Sequence, residues 1–578
     1  MSRTSILKLK RSSKVSKTRK GIEDVDFWGS LTARMPRDLN YETLCEQFSW
    51  NLPAHYNMGV DVCDRHARDK GKLALIFDRG DGTAEKWTFW ELKRASDRFA
   101  NALRSLGVER GDRLAVLLSQ SPQLPIAHIA AYKLGAVVVP LFALFGEDAL
   151  RFRLKDSSAK VIVTDIEHFE VVSTLREELS NLGHIILTDD ERVGAVTFDG
   201  LMQEAASGFE PVVTQPEDPA IIIYTSGTTG SPKGALHGHR ILLGHLPGVS
   251  LPHDLMPRRG DLFWTPADWA WIGGLFDVLF PALHWGLPVV AHRMLRFDPE
   301  KAFNLMERWG VQNAFFPPTA LKMMRTISRP RERWALELET IGCGGEPLGE
   351  ETVDWAKEQL GIVINEFYGQ TECNLVLSNC NAIMPTKPGS MGRPVPGHRV
   401  AVIDDAGNPL GPGEQGEVAV QRPDPVMMLE YWNNEEATTK KFVGDWLSTG
   451  DIASVDEEGY FHFVGRDDDI ISSGGYRIGP AEIEDTLVKH RDVLMAAAVG
   501  KPDPTRGQVV KAFVVLREDR AKKDDELAAE LKELVKGRLG AHEYPREIEF
   551  VDKLPMTPTG KIRRNVLRQQ EAEGGSND

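Results

Sequence analysis

"YTSGTTGSPKG", Tyr224 to Gly234, follows directly on the hydrophobic run "PAIIIY". Six of its eleven residues are Thr, Ser or Lys and three more are Gly. Hydroxyls, glycines and one lysine at the end of a buried strand suit a phosphate. Backbone N–H groups and the hydroxyls of Thr225, Ser226, Thr228 and Thr229 wrap the anion, Gly227 and Gly230 allow close approach, and Lys233 adds a point charge. This is not the common nucleotide P-loop, which has Gly before its Lys and Ser or Thr after it. Here Pro232 precedes Lys233 and Gly234 follows it, so a helix is not expected to start there.

The flanking sequence sets the fold class. "RLAVLLS", "AVVVPL", "KVIVTD" and "HIILTD" read as strands, with "LPIAHIAAYKL" as an intervening helix. Such alternation predicts βαβ units and parallel sheet with helices on both faces. The pattern resumes with "AIIIYTS", "DLFWTPAD", "LPVVAHR", "IGCGG" and "VINEFYG", whose ends are polar or glycine-rich. In open α/β sheets ligands bind at the carboxyl ends of the strands, so these ends are expected to converge on one site. From about Ser390, "HRVAVIDDAGNPLGPGEQGEVAVQ" alternates apolar and polar residues around Gly and Pro, which predicts antiparallel hairpins. Beyond Arg466, "AEIEDTLVKH" reads as a helix, "VLMAAAVG" and "VKAFVVL" as strands, and Asp524 to Arg538 as a charged helix. The expectation is α/β: a large N-terminal domain of mixed and parallel sheets with flanking helices (residues 23–466), including a β-rich subdomain at about 390–466. A mobile α+β C-terminal domain occupies 467–570.

The bulk numbers agree. A chain of 578 residues is too long for one ordinary core. A formal charge of −15 argues against a general nucleic-acid binder. The five cysteines form no CxxC pair, which points to free thiols in a reducing compartment and away from structural zinc. The longest apolar stretch, Pro125 to Phe145, is broken by His128, Lys133 and Pro140, and reads as a buried helix followed by a strand. Residues 1–22 carry eight Lys or Arg and no acid. Two readings of this arm stand: a disordered basic tail in a cytoplasmic protein, or a transit peptide to the mitochondrial matrix.

"YTSGTTGSPKG" resembles the signature of the acyl-adenylate-forming superfamily. Four further motifs follow in that family's order: "GGEPL" (344–348), "YGQTE" (368–372), "STGDIASVDEEGYFHFVGRDDDIISSGGYRI" (448–478) and "PMTPTGKIRR" (555–564). "SGGYRIGPAEIED" and "KPDPTRGQVVKAFVVL" are most similar to acetyl- and medium-chain acyl-CoA synthetases. The resemblance implies an AMP-forming ligase that uses ATP, Mg2+ and coenzyme A. A carboxylate attacks the α-phosphate, pyrophosphate leaves, and the coenzyme A thiol then displaces AMP from the acyl carbon.

The resemblance also implies roles. Lys561 matches the lysine used for adenylation, and cations are needed there because a carboxylate and a triphosphate repel. Glu372, beside Thr371, matches the magnesium-associated acid, a hard oxygen ligand suited to that metal. Asp451 and Arg466 match the ribose contacts, and Arg477 an arginine near the α-phosphate. Gly345, Glu346 and Pro347, with Glu366, Phe367, Tyr368, Gly369, Gln370 and Thr371, match the walls around adenine and phosphate. Gly474, Gly475 and Tyr476 match the pantetheine passage; Arg506, Tyr544 and Arg546 match coenzyme A contacts. His237 and His239 are read equally as acyl-pocket or as core or surface residues. The partners implied are a small carboxylic acid and a lysine acetyltransferase and deacetylase acting at Lys561; a homo-oligomer stays open.

Relatives restricted to acetate carry tryptophan where Gly369 stands. With Ile272, Gly273 and Gly344 as the other implied walls, the expectation is an open pocket for short, branched or medium-chain acids. Acetyl-CoA synthetase-like and aryl-CoA ligase activities remain alternatives, as does loading of a carrier protein in trans.

Overall fold

The computed structural model describes residues 40–225, 232–294, 296–473, 476–503, 506–517, 525–539, 543–557 and 561–574. The basic arm therefore lies outside the described residues, as do Ser226 to Ser231 of the opening motif.

Branched residues build the first sheet. "VVVP" (Val137–Pro140) and "VIVT" (Val161–Thr164) are buried at every position, as expected of strands covered on both faces. They pair in parallel with Arg113–Leu117, and Val137–Pro140 pairs in parallel with Pro219–Thr225. The apolar stretch from Pro125 resolves into the helix Gln123–Leu134, buried nearly all round, and the strand Val137–Pro140. Between them Gly135 takes φ 74°, a left-handed helix stop that glycine adopts without strain. No helix among the described residues is long and apolar enough to cross a membrane.

The run "PAIIIYT" does not lead into a helix. It turns back as the antiparallel strand Lys233–Gly238, with Thr225 opposite Lys233. The described ends of the motif thus lie on paired antiparallel strands, and no helix starts at Lys233, as Pro232 suggested.

A second sheet has Leu73–Asp78, Val289–His292, Phe263–Trp264, Asn313–Phe316, Thr340–Gly344 and Ile364–Gln370 in parallel. It continues antiparallel through Cys373–Ser378, Ser390–Pro394, Phe461–Arg466, Trp446–Val455, Gln415–Gln421 and Val400–Ile403. The β-rich portion is therefore hydrogen-bonded onto the parallel sheet through Ser390–Pro394 rather than standing apart. The third sheet contains Ile471–Ser473, Tyr476–Ile478, Val493–Asp503, Gly507–Leu516 and Glu547–Phe550. Helices Pro480–Val488 and Asp525–Arg538 cover it with a separate apolar cluster around Ile483, Leu487, Leu531 and Val535.

The main core holds one buried charge cluster. Lys133, with a fully buried side chain, lies 2.6 Å from Asp64 and 2.7 Å from Asp97, and donates to Ser96 Oγ at 3.0 Å. Removing the cation leaves Asp64 and Asp97 with only the partly exposed Lys93, which pairs with Asp97 and lies 3.5 Å from Asp64. Lys133→Met is expected to lower unfolding free energy by about 3–5 kcal/mol in denaturant titration, and adding Asp97→Asn should restore part of it. An unchanged midpoint for Lys133→Met would contradict the assignment.

Candidate active site

The best-formed part of the site is built on strand periodicity. Tyr368 and Gln370 sit two apart on Ile364–Gln370, so their side chains share a face. Asp451 stands on Trp446–Val455 directly opposite Arg466 on the neighbouring antiparallel strand. The Tyr368 hydroxyl donates to Asp451 Oδ2 at 2.5 Å and Gln370 Nε2 donates to the same oxygen at 3.1 Å. Arg466 Nη1 donates to Oδ1 at 3.1 Å. Gln370 is held in turn by the Thr449 carbonyl at 3.0 Å. Asp451 is only 5% exposed, yet it keeps lone pairs that can accept from a vicinal diol.

A second cluster ties the hairpin to the "QTE" turn. Tyr431 donates its hydroxyl to Glu372 Oε1. The Lys233 ammonium sits 5.3 Å above the Tyr431 ring. His237 Nε2 lies 2.8 Å from the Thr371 carbonyl, so that nitrogen carries the proton. Burial holds His237 neutral, pushing its pKa down to about 3. His237 therefore positions Thr371, and His239 is a buried core residue whose Nδ1 accepts from the Met58 N–H at 3.2 Å. Tyr431 escaped the sequence reading because it is 59 residues from Glu372 with no motif to mark it.

The third cluster joins the two domains. Burial raises the Glu346 carboxyl, while the charges of Lys561, Lys322 and Arg564 act against the rise. Lys561 and Arg564 belong to the C-terminal portion, so the charge of the expected adenylation lysine is felt at the "GGE" turn from the other domain. The Lys561 N–H donates to Thr557 Oγ1 at 3.0 Å, and Thr557 N–H donates to the Lys561 carbonyl at 2.7 Å. Arg564 is clamped by Glu484 at 2.6 Å, and Lys489 meets Glu350 across the domains at 3.0 Å. Glu366 accepts from the Gly389 N–H at 3.1 Å, and burial pushes its carboxyl up to about 7.

Other expected residues are placed differently. The contacts of Arg506, Tyr544 and Arg546 stay within the small domain: Arg506 N–H donates to Asp503 and Arg546 stacks on Tyr544. Tyr476 and Arg477 lie on a described strand, but their side chains, with Gly474, Gly475 and Ser226 to Gly230, fall outside the described residues.

The open pocket expected from glycines is not there. A β-carbon on Gly369 would lie 2.5 Å from Asn374 Oδ1 and 2.9 Å from Asn374 Cα. On Gly344 it would lie 2.5 Å from the Phe367 ring, and on Gly273 3.0 Å from Phe315. These glycines admit close neighbours instead of leaving a vacancy. Trp271, Phe315 and Phe367 form a continuous aromatic wall, with centroids 5.8 and 5.3 Å apart.

The sequence model of the AMP-binding enzyme family matches residues 63–432, and that of the AMP-binding enzyme C-terminal domain matches 482–561. The chain belongs to the AMP-binding enzyme family. It is 37% identical over 551 residues to acetyl-coenzyme A synthetase of Bacillus subtilis (strain 168), covering 92% of this chain and 95% of that one. It is 36% identical over 563 residues to the mitochondrial acyl-coenzyme A synthetase ACSM4 of Rattus norvegicus, covering 95% of each. Among solved structures, an anthranilate CoA ligase in complex with anthranoyl-AMP superposes with TM-score 0.84 at 28% identity, covering 91% of this chain and 99% of that one. As an AMP-binding enzyme of this kind, the protein is an AMP-forming acid–CoA ligase that uses ATP, Mg2+ and coenzyme A.

If Asp451 holds the nucleotide, Asp451→Asn should lower kcat/KM for ATP by about 10- to 100-fold, the worth of one or two hydrogen bonds to a charged group. Thermal stability should change little beside that loss. An ATP profile unchanged in the variant would remove Asp451 from the site.

Proposed function

We propose that this AMP-binding enzyme activates a short- to medium-chain carboxylic acid larger than acetate, using residues of both domains. The observation that carries the reading is the buried Asp451 carboxylate held at the strand ends by Tyr368, Gln370 and Arg466, with the charge of Lys561 reaching Glu346 from the small domain.

In the first step an oxygen of the acid attacks the α-phosphorus and pyrophosphate leaves. Lys561 and Lys233 screen the two anions from each other. Asp451 and Arg466 fix the ribose, and the walls from Gly345 to Pro347 and Glu366 to Gln370 hold the adenine. Glu372, with one oxygen held by Tyr431 and its other free to ligate, fits a metal whose remaining ligands are phosphate oxygens and water. Bound Mg2+ would neutralise charge on the phosphates. In the second step the coenzyme A sulfur attacks the acyl carbon, its proton is released, and AMP departs. Arg506, Tyr544 and Arg546 remain the residues proposed to meet coenzyme A. Acetylation of Lys561 would remove its charge and stop the first step.

The size of the acid follows from Gly369 and Asn374. One amide side chain fills less space than an indole, so the wall beside Gly369 is read as admitting an acid larger than acetate, although less space is left than a bare glycine would give. Each added buried CH2 is worth about 0.8 kcal/mol, or roughly fourfold in affinity.

AMP release with and without coenzyme A, over acetate, butyrate, isovalerate, octanoate and benzoate, tests this. Coenzyme A-dependent turnover should rise from acetate to butyrate or isovalerate. A maximum at acetate would contradict the size reading. A maximum at benzoate would make the enzyme an aryl-CoA ligase. Adenylate formation that coenzyme A never discharges would point to a carrier protein as the acceptor.

A further inference from the structure

Beside Gly369 lies a buried polar trio that the adenylation chemistry does not use. His245 is on the helix Ile241–Ser250, Asp277 on the turn of helix Leu275–Leu279, and Asn374 just after the "YGQTEC" motif. All three are nearly or fully buried, and no charged partner is among their contacts.

Their hydrogen bonds can be assigned in order. His245 Nδ1 lies 2.7 Å from the Ile241 carbonyl, which only accepts, so Nδ1 carries the proton. Burial keeps the ring neutral, with its pKa pushed down to about 3. His245 Nε2 is then an acceptor, and Asn374 Nδ2 donates to it at 3.1 Å. The same amide nitrogen donates to Asp277 Oδ1 at 2.7 Å. Both amide hydrogens are therefore used, and the orientation of the Asn374 side chain is fixed. Its Oδ1 has no donor among the described residues, and it points toward Gly369, 2.5 Å from where a β-carbon would sit.

One acceptor is thus left over at Asn374 Oδ1, and the second oxygen of Asp277, which carries the proton when the carboxyl is neutral, has no partner among the described residues. Neither oxygen is sealed, and the residues keep 5% and 3% of their surface exposed. A buried acceptor left unmet is costly, so a donor from a ligand would be favoured there. Separately, burial raises the Asp277 carboxyl well above the usual range, which favours its neutral form. A neutral trio does not suit an ammonium group, whose charge would be buried without a counter-ion. A hydroxyl suits it, since it can donate to Asn374 and also accept a proton from Asp277.

We propose that Asn374, backed by Asp277 and His245, is the specificity-determining contact for a hydroxyl on the acyl group, so that the preferred acid is a hydroxy acid. This rests on the proposed function, in which Gly369 borders the acyl group. It narrows the substrate class from a carboxylic acid of suitable size to one with a hydrogen-bond donor away from the reacting carboxylate. Gly369 gains a second reason to be glycine: any side chain there would displace the Asn374 oxygen.

ATP–pyrophosphate exchange on the full-length enzyme tests this with matched acids: butyrate against its β- and γ-hydroxy forms, and benzoate against its meta- and para-hydroxy forms. At least one hydroxylated acid should exceed its parent in kcat/KM by about tenfold, the worth of one hydrogen bond. Asn374→Leu, similar in size but without the acceptor, should abolish that preference. Parents that match or exceed every hydroxylated partner in the wild type would overturn the proposal, whether or not the variant folds. So would a hydroxyl preference that survives Asn374→Leu. Exchange that occurs without hydroxyl preference sinks this inference alone, whereas no exchange with any acid sinks the adenylation reading with it.

Discussion

The carboxylate of Asp451 is the fixed point of this site. Its place is set by backbone register: it stands opposite Arg466 in an antiparallel pair and within reach of Tyr368 and Gln370 from the parallel sheet. That arrangement requires the β-rich portion and the parallel sheet to be one hydrogen-bonded surface, as the strand Ser390–Pro394 makes them. A slip of one residue in either pairing would turn the donors to the opposite face. The end of the site around Asp451, where the ribose is proposed to sit, is therefore as rigid as the sheet that carries it.

The phosphate end is assembled differently. Lys233 is held by its strand and by the Tyr431 ring, while Lys561 comes from the small domain, hydrogen-bonded to Thr557. Across the domains the contacts are largely charged, with Lys489 on Glu350 and the field of Lys561, Lys322 and Arg564 on Glu346. An exposed ion pair such as Lys489–Glu350 is worth little by itself, which suits the proposal that the boundary opens between the two steps. A cation delivered on such an element can serve one step and be withdrawn for the next.

Much of this was legible in the residues. Buried β-branched runs marked the parallel strands, and Pro232 marked a place where no helix starts. The motifs at the strand ends put Asp451, Arg466, Tyr368 and Gln370 in one site, and the structure gathers them. The order of strands was not legible, because local alternation carries no information on which strands pair. Tyr431 was hidden because its link to Glu372 is purely spatial. Gly369 misled for a physical reason. A missing side chain says that something lies close, and only the fold shows whether that is empty space or, as here, Asn374.

The central claim is that Lys561 acts in adenylation from across the domain boundary. Single-turnover measurement of the two half-reactions in Lys561→Ala tests it most directly. The account predicts that acyl-AMP formation from acid and ATP falls by about 100-fold or more, the scale of losing one transition-state charge contact. Thioester formation from supplied acyl-AMP and coenzyme A should stay within a few-fold of the wild type. An equal loss in both half-reactions would contradict it.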